Sequence, residues 1–257
     1  MKLFFERVGN GEPLLILHGL FGSSDNWRTV AKPLTQHYTV YFVDLRNHGR
    51  SPHTATISYP EMVDDIRLLM DGEALASISL LGHSMGGKVA MGFALSYPKR
   101  VQKLIVADMG MKRYHPHHAD VLKALHAVNL NTIEQRVDAE HIIRQYISDH
   151  STEQFLLKGL YRPTETTFAW RFNLPVLTEQ YDHILAAVGE GKQAYDKSAL
   201  FIRGERSNYI NDAEFQHIQE LFPLAQLVTI KDAGHWVHAE RPISFMNEVL
   251  KFLGHTS

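Results

Sequence analysis

Through the first 110 residues, short apolar runs alternate with stretches of helical period. Segments 3–8 and 14–17 read as strands around the turn Gly9-Asn10-Gly11. Segment 27–34 reads as a short helix, 38–43 as a strand and 59–69 as a helix. A strand over 77–81 is followed by a helix over 88–97, stopped by Pro98, and by another strand over 104–107. These strands are apolar at nearly every position, so both of their faces are buried. Alternation with helices then predicts a mostly parallel sheet with helices on both faces.

The pattern breaks after residue 110. Residues 111–194 hold no convincing strand and read as helices over 119–128, 139–148, 153–160 and 178–188. The alternation resumes with a strand over 199–202, a helix over 216–221, a strand over 227–230 and a final helix over 243–253. The expected organisation is therefore an α/β core, 1–110 and 195–257, carrying an inserted all-helical cap, 111–194. Ligands bind beyond the carboxyl ends of the strands in such sheets, where the cap would sit.

Composition narrows the classes. A formal net charge of −2 gives no electrostatic footprint for nucleic acid or an anionic membrane surface. With no cysteine, neither a disulfide nor a thiolate nucleophile is available. The apolar run Leu3-Phe4-Phe5 is too short for a signal peptide, and no stretch approaches the length of a membrane span. A cytoplasmic protein, monomer or dimer, acting on a small molecule is the expectation.

The chemistry concentrates in Gly82-His83-Ser84-Met85-Gly86-Gly87. It joins a predicted strand to a predicted helix, with a serine at the apex of a sharp turn. The flanking glycines meet the crowding there, and the turn aims the Met85 N–H toward whatever the serine attacks. The pattern alone recurs by chance, so its context carries the argument. A serine hydroxyl needs a base. His235, in Asp232-Ala233-Gly234-His235-Trp236, follows the last strand and so lies at the same sheet edge. After the strand 14–17 comes His18-Gly19-Leu20-Phe21-Gly22-Ser23, where Gly19 permits close approach and Leu20 N–H becomes the second oxyanion donor beside Met85.

In these pieces the chain resembles the α/β-hydrolases over its whole length. They are His18-Gly19-Leu20, Asp44-Leu45-Arg46-Asn47-His48-Gly49-Arg50-Ser51, Gly82-His83-Ser84-Met85-Gly86-Gly87 and Gly234-His235-Trp236-Val237-His238, in the family's order. The Arg46-Asn47-His48-Gly49 version, Trp170-Arg171-Phe172-Asn173 and Ser207 are similar to the YbfF-type bacterial esterases. That resemblance implies carboxylic esters or acyl-CoA thioesters as substrates. One departure matters. In most of the family the acid of the triad lies in a Gly-x-x-Asp loop, which here reads Gly204-Glu205-Arg206-Ser207. The fold offers another place, directly after the strand 104–107, and Asp108 stands there. Asp108 is thus expected to orient His235, with Ser207 adding a hydrogen bond, and Glu205 as the rival. Asp232 is too near His235 in sequence, and Asp44 is expected to brace the Arg46 loop.

The residues expected to meet substrate are Phe21, Tyr114, Trp170, Tyr209 and Trp236. His83 is expected to pack, and His238 and Glu240 to begin the last helix. His115-Pro116-His117-His118 lacks the further ligands a closed metal site needs, apart from Asp120. No metal or organic cofactor is expected, and this stretch reads as a polar entry to the cap. Lys112 and Arg113 beside it are candidates for the phosphates of a CoA-type leaving group. The expected function is a serine hydrolase working through an acyl-enzyme on Ser84. The competing readings are a carbon–carbon bond hydrolase on the same fold and a ligand-binding member with slow turnover.

Overall fold

The computed structural model describes residues 1–255. The core strands are β1 (Phe5–Val8), β2 (Glu12–Leu17), β3 (Tyr38–Val43), β4 (Ile78–His83) and β5 (Val101–Ala107). Helix α1 (Tyr59–Gly72) links β3 to β4, and α2 (Met85–Ser96) links β4 to β5. The insert follows as α3 (Ala119–Ala127), α4 (Arg136–Ile143), α5 (His150–Lys158), β6 (Leu160–Tyr161), β7 (Ala169–Trp170), α6 (Leu174–Glu179) and α7 (Tyr181–Leu185). The core closes with β8 (Ala199–Gly204), α8 (Asp212–Leu221), β9 (Ala225–Ile230), α9 (Val237–Glu240) and α10 (Pro242–Leu253).

Seven strands form one sheet in the order β1-β3-β2-β4-β5-β8-β9. Only β1, on the edge beside β3, runs antiparallel. Successive side chains point to opposite faces, and both faces are apolar. Leu15, Leu17, Leu80, Leu104, Val106 and Phe201 join the core shared with α1, α2 and the cap. Leu14, Ile16, Leu81, Ile105, Leu200 and Ile202 meet Trp27 and the apolar stripe Phe245, Met246, Val249 and Leu253 of α10. The near-continuous apolar runs follow from this double burial.

The strand order places the site. From β2 the chain passes to β3 on one side, then crosses to β4 on the other. The loops leaving β2 and β4 therefore part at a switch point, and a crevice opens beyond their carboxyl ends. Leu20 follows β2 and Ser84 follows β4.

Three expectations are corrected. Segment 27–34 is no α-helix: after the 3-10 segment Ser24–Asn26, turns over 27–31 lead into a second one, Lys32–Gln36. Pro33 sits inside the stretch, where its ring obstructs an α-helix. The helix expected over 178–188 is two pieces broken at Gln180, whose side chain accepts from Ile57 N at 3.1 Å and donates to Ala55 O at 2.8 Å. The cap is helical except for the antiparallel pair β6 and β7. Two-residue strands carry too few positions to show a period.

Candidate active site

Ser84 is the hinge between β4 and α2, at φ 53° and ψ −121°. That backbone is strained for a residue with a Cβ, and the packing around it holds it there. A Cβ on Gly82 would lie 2.2 Å from Gly86 O, and one on Gly86 would lie 2.5 Å from His18 O. The glycines two before and two after the serine thus let β4, α2 and the loop after β2 close together.

Three loops that are distant in sequence complete a chain of hydrogen bonds. His235 Nε2 lies 3.0 Å from Ser84 Oγ, and His235 Nδ1 lies 2.7 Å from Asp108 Oδ2. Asp108, fully buried, also accepts from Gly204 N at 3.1 Å and from the Ser207 hydroxyl. Burial pushes the Asp108 carboxyl up, and the Ser207 and Gly204 donors pull it back. Burial lowers the pKa of His235, so the ring is neutral at pH 7 and free to take a proton. Glu205 instead accepts from Asp232 N at 2.9 Å. Asp44 braces the next loop, accepting from Ser24 N and Arg50 N.

The amides of Leu20 and Met85 donate to no backbone or side-chain group among the described residues. The Leu20 turn is fixed from behind. Gly22 N donates to Gly19 O at 3.0 Å, and Phe21 N donates to His48 Nε2 at 3.2 Å. His48 belongs to the Arg46-Asn47-His48 piece, which meets the cap piece directly. Asn173 N donates to Asn47 O at 2.9 Å, and His48 pairs with Phe172 across an isolated bridge. The two segments similar to one esterase group are thus a single joint between cap and core.

Two cavities open at Ser84. One, of about 240 Å³, is walled by Phe21, Phe155, Tyr209, His235 and Trp236. The other, of about 20 Å³, is walled by Tyr59, Lys88, Tyr114 and Leu185. Phe21, Tyr114, Tyr209 and Trp236 therefore stand where substrate contact was expected. Trp170 does not: it is buried in the cap, stacked on Phe172 with ring centroids 5.3 Å apart. Lys112 faces Glu214 at 3.6 Å and Arg113 faces Asp182 at 3.1 Å, so both cations already have carboxylate partners. His117 and His118 line both cavities, bonded to Tyr209 and Tyr181. Among the described residues no cluster of three or more potential metal ligands occurs.

Sequence reasoning missed two supports. Glu240 does not begin the last helix: it accepts from Gly234 N at 2.9 Å and Trp236 N at 3.2 Å, clamping the loop that carries His235. Lys88 is fully buried, with burial lowering its pKa to about 7, and donates to the carbonyls of Lys112, Leu185 and Ala186. A lone cation in the apolar helix start, one turn beyond Ser84, was its only signal. His83 packs as expected and donates from Nε2 to His235 O at 3.0 Å.

Buried histidines contribute to the acid stability. His48, His83 and His238 are almost wholly buried, and burial holds each well below the ordinary histidine pKa. Unfolding returns them to about 6.5, so below that pH the unfolded chain binds more protons. Stability present above pH 6.5 is expected to fall on acidification, by up to about 1.4 kcal/mol per ring per pH unit. Denaturant midpoints at pH 7.5, 6.5 and 5.5 check this, and equal midpoints would refute it.

The geometry matches a family. The pattern of α/β hydrolase fold proteins covers residues 12–242, and the chain belongs to that family. Among its relatives, esterase YbfF of Escherichia coli (strain K12) is 36% identical over 245 residues, covering 95% of this chain and 94% of that protein. The sn-1-specific diacylglycerol lipase ABHD11 of Danio rerio is 35% identical over 257 residues, covering 97% of this chain and 80% of that protein. A solved marine microorganism esterase superposes with a TM-score of 0.95 at 38% identity, covering 98% of this chain and 99% of that one. No described helix is long and apolar enough to cross a membrane.

Proposed function

We propose that this protein is a carboxylic ester hydrolase working through an acyl-enzyme on Ser84. The observation that carries the reading is the unbroken Ser84–His235–Asp108 chain beside two unengaged amides. Ser84 Oγ adds to the ester carbonyl carbon as its proton passes to His235 Nε2. Leu20 and Met85 N–H groups receive the developing oxyanion. The tetrahedral carbon then expels the alcohol oxygen, which takes the proton from His235. Water repeats the two steps, releasing the acid and restoring the serine. Asp108 holds the imidazole in the tautomer with Nδ1–H and stabilises its charged form.

The relatives named esterase and lipase support the ester class. The same chemistry would cleave a thioester. The CoA-phosphate role of Lys112 and Arg113 gains no support, since both face carboxylates. The test is incubation with an aryl acetate and, separately, with an alkyl fluorophosphonate. The expected results are steady aryl alcohol release and one stoichiometric adduct, mapped to Ser84 by mass spectrometry. An adduct without turnover would favour a slow-turnover binding protein, and no adduct would overturn the reading.

A further inference from the structure

The two cavities at Ser84 differ in one respect that the reaction makes decisive. His235, with Trp236 and Phe155, lines only the larger, of about 240 Å³. The smaller, of about 20 Å³, is reached past Ser84 and Met85 and touches no part of His235. In the tetrahedral intermediate the carbon carries four groups: Ser84 Oγ, the oxyanion, the leaving oxygen and the acyl chain. The oxyanion faces Leu20 and Met85. The leaving oxygen must face His235 Nε2 to receive its proton. One direction remains for the acyl chain, and it is the cavity without His235.

We infer that this protein is selective for esters of small acids, acetyl to propionyl, with larger apolar alcohols. The inference rests on the ester hydrolase reading above. The centre of a water-sized group has about 20 Å³ to move in there, against about 240 Å³ in the larger cavity. Its end is firm. The Lys88 ammonium has three N–H groups and three carbonyl acceptors, on Lys112, Leu185 and Ala186. It is therefore an end wall with no donor left over for an anionic acyl tail. Tyr114, whose ring lies 4.8 Å from Lys88 Nζ, is pinned as well: its hydroxyl accepts from Gly110 N and donates to Tyr209 O, both at 2.8 Å. Tyr59 donates to Ile184 O at 2.6 Å, tying the same wall to α7. The larger cavity, with the ring centroids of Trp236 and Phe155 4.0 Å apart, suits an apolar alcohol.

Two ester series test this. With p-nitrophenol as the constant leaving group, acyl chains run from acetyl through butanoyl to octanoyl. With acetate as the constant acid, primary alcohols of nearly equal acidity run from ethyl to octyl. The expected result is a kcat/KM that falls about tenfold or more from acetyl to octanoyl, because each added methylene overpacks the closed end. Along the acetate series it holds level or rises. Ile184→Ala removes side-chain volume from the smaller cavity and keeps the carbonyl that Tyr59 needs. It is expected to move the acyl optimum to butanoyl or beyond. An optimum at octanoyl in the wild type overturns the assignment and leaves the esterase reading standing. An unchanged optimum in a folded Ile184→Ala overturns the end wall, and if that variant does not fold the wild-type series decides alone. No turnover of any ester by folded protein overturns both readings.

Discussion

Ser84→Ala is expected to lower kcat for ester hydrolysis about a millionfold, leaving only the residual acceleration that binding and oxyanion donors give. The loss is of this size because alanine leaves no hydroxyl at the apex of the turn to form the acyl-enzyme. His83, its neighbour, spends Nε2 on His235 O. The fold should survive the change. Alanine and serine share a Cβ, so the backbone at φ 53° is no more strained. The Met85 amide and both cavities remain. The measurement is kcat on an aryl acetate for wild type and variant, with thermal midpoints for both. Equal midpoints with a loss below about a hundredfold would remove Ser84 from the nucleophile's place.

Asp108→Asn is expected to cost about ten-thousandfold in kcat. Asparagine adopts the left-handed region about as readily as aspartate, so φ 49° at this position is no obstacle. Its defect is chemical. Gly204 N donates to Oδ1, so an asparagine oxygen stays in that place, and its NH₂ takes the Oδ2 place, facing His235 Nδ1 and the Ser207 hydroxyl, which can accept. The imidazole must then accept at Nδ1 and carry its proton on Nε2, where it cannot take one from Ser84. Ser207→Ala removes one charge-assisted hydrogen bond and is expected to cost about ten- to a hundredfold. Glu205→Gln should leave kcat within a few fold, because an amide oxygen still accepts from Asp232 N. A crippled Glu205→Gln beside an active Asp108→Asn would overturn the acid's assignment.

Much of this was local in the chain. The strands were legible because each is buried on both faces and carries an apolar run, as in β4 and β5. The strand–turn–helix around Ser84 was legible because glycine at 82 and 86 meets a steric demand set within five residues. Expectation failed where a distant segment decided. Gln180 leaves the helical course at a residue whose side chain grips the core loop at Ala55 and Ile57. Trp170 looked like a substrate contact because it is aromatic and in the cap, yet it stacks inward on Phe172. Glu240 and Lys88 gave no periodic signal, since their partners are backbone groups that only folding brings near.

The sequence by itself determined the doubly buried sheet, the interruption of its strand–helix alternation after residue 110, and which residues stand at the carboxyl ends of the strands. Those are set by side-chain burial and turn sterics over a few residues. The tertiary structure decided the rest. It brought Asp108 to His235 across 127 positions and Ser84 to His235 across 151. It divided the space at Ser84 into two unequal cavities and set Lys88 in the wall of the smaller. The reason is that hydrogen bonds and cavity walls depend on distances of an ångström or less between segments far apart in the chain. Composition and period carry no record of such distances.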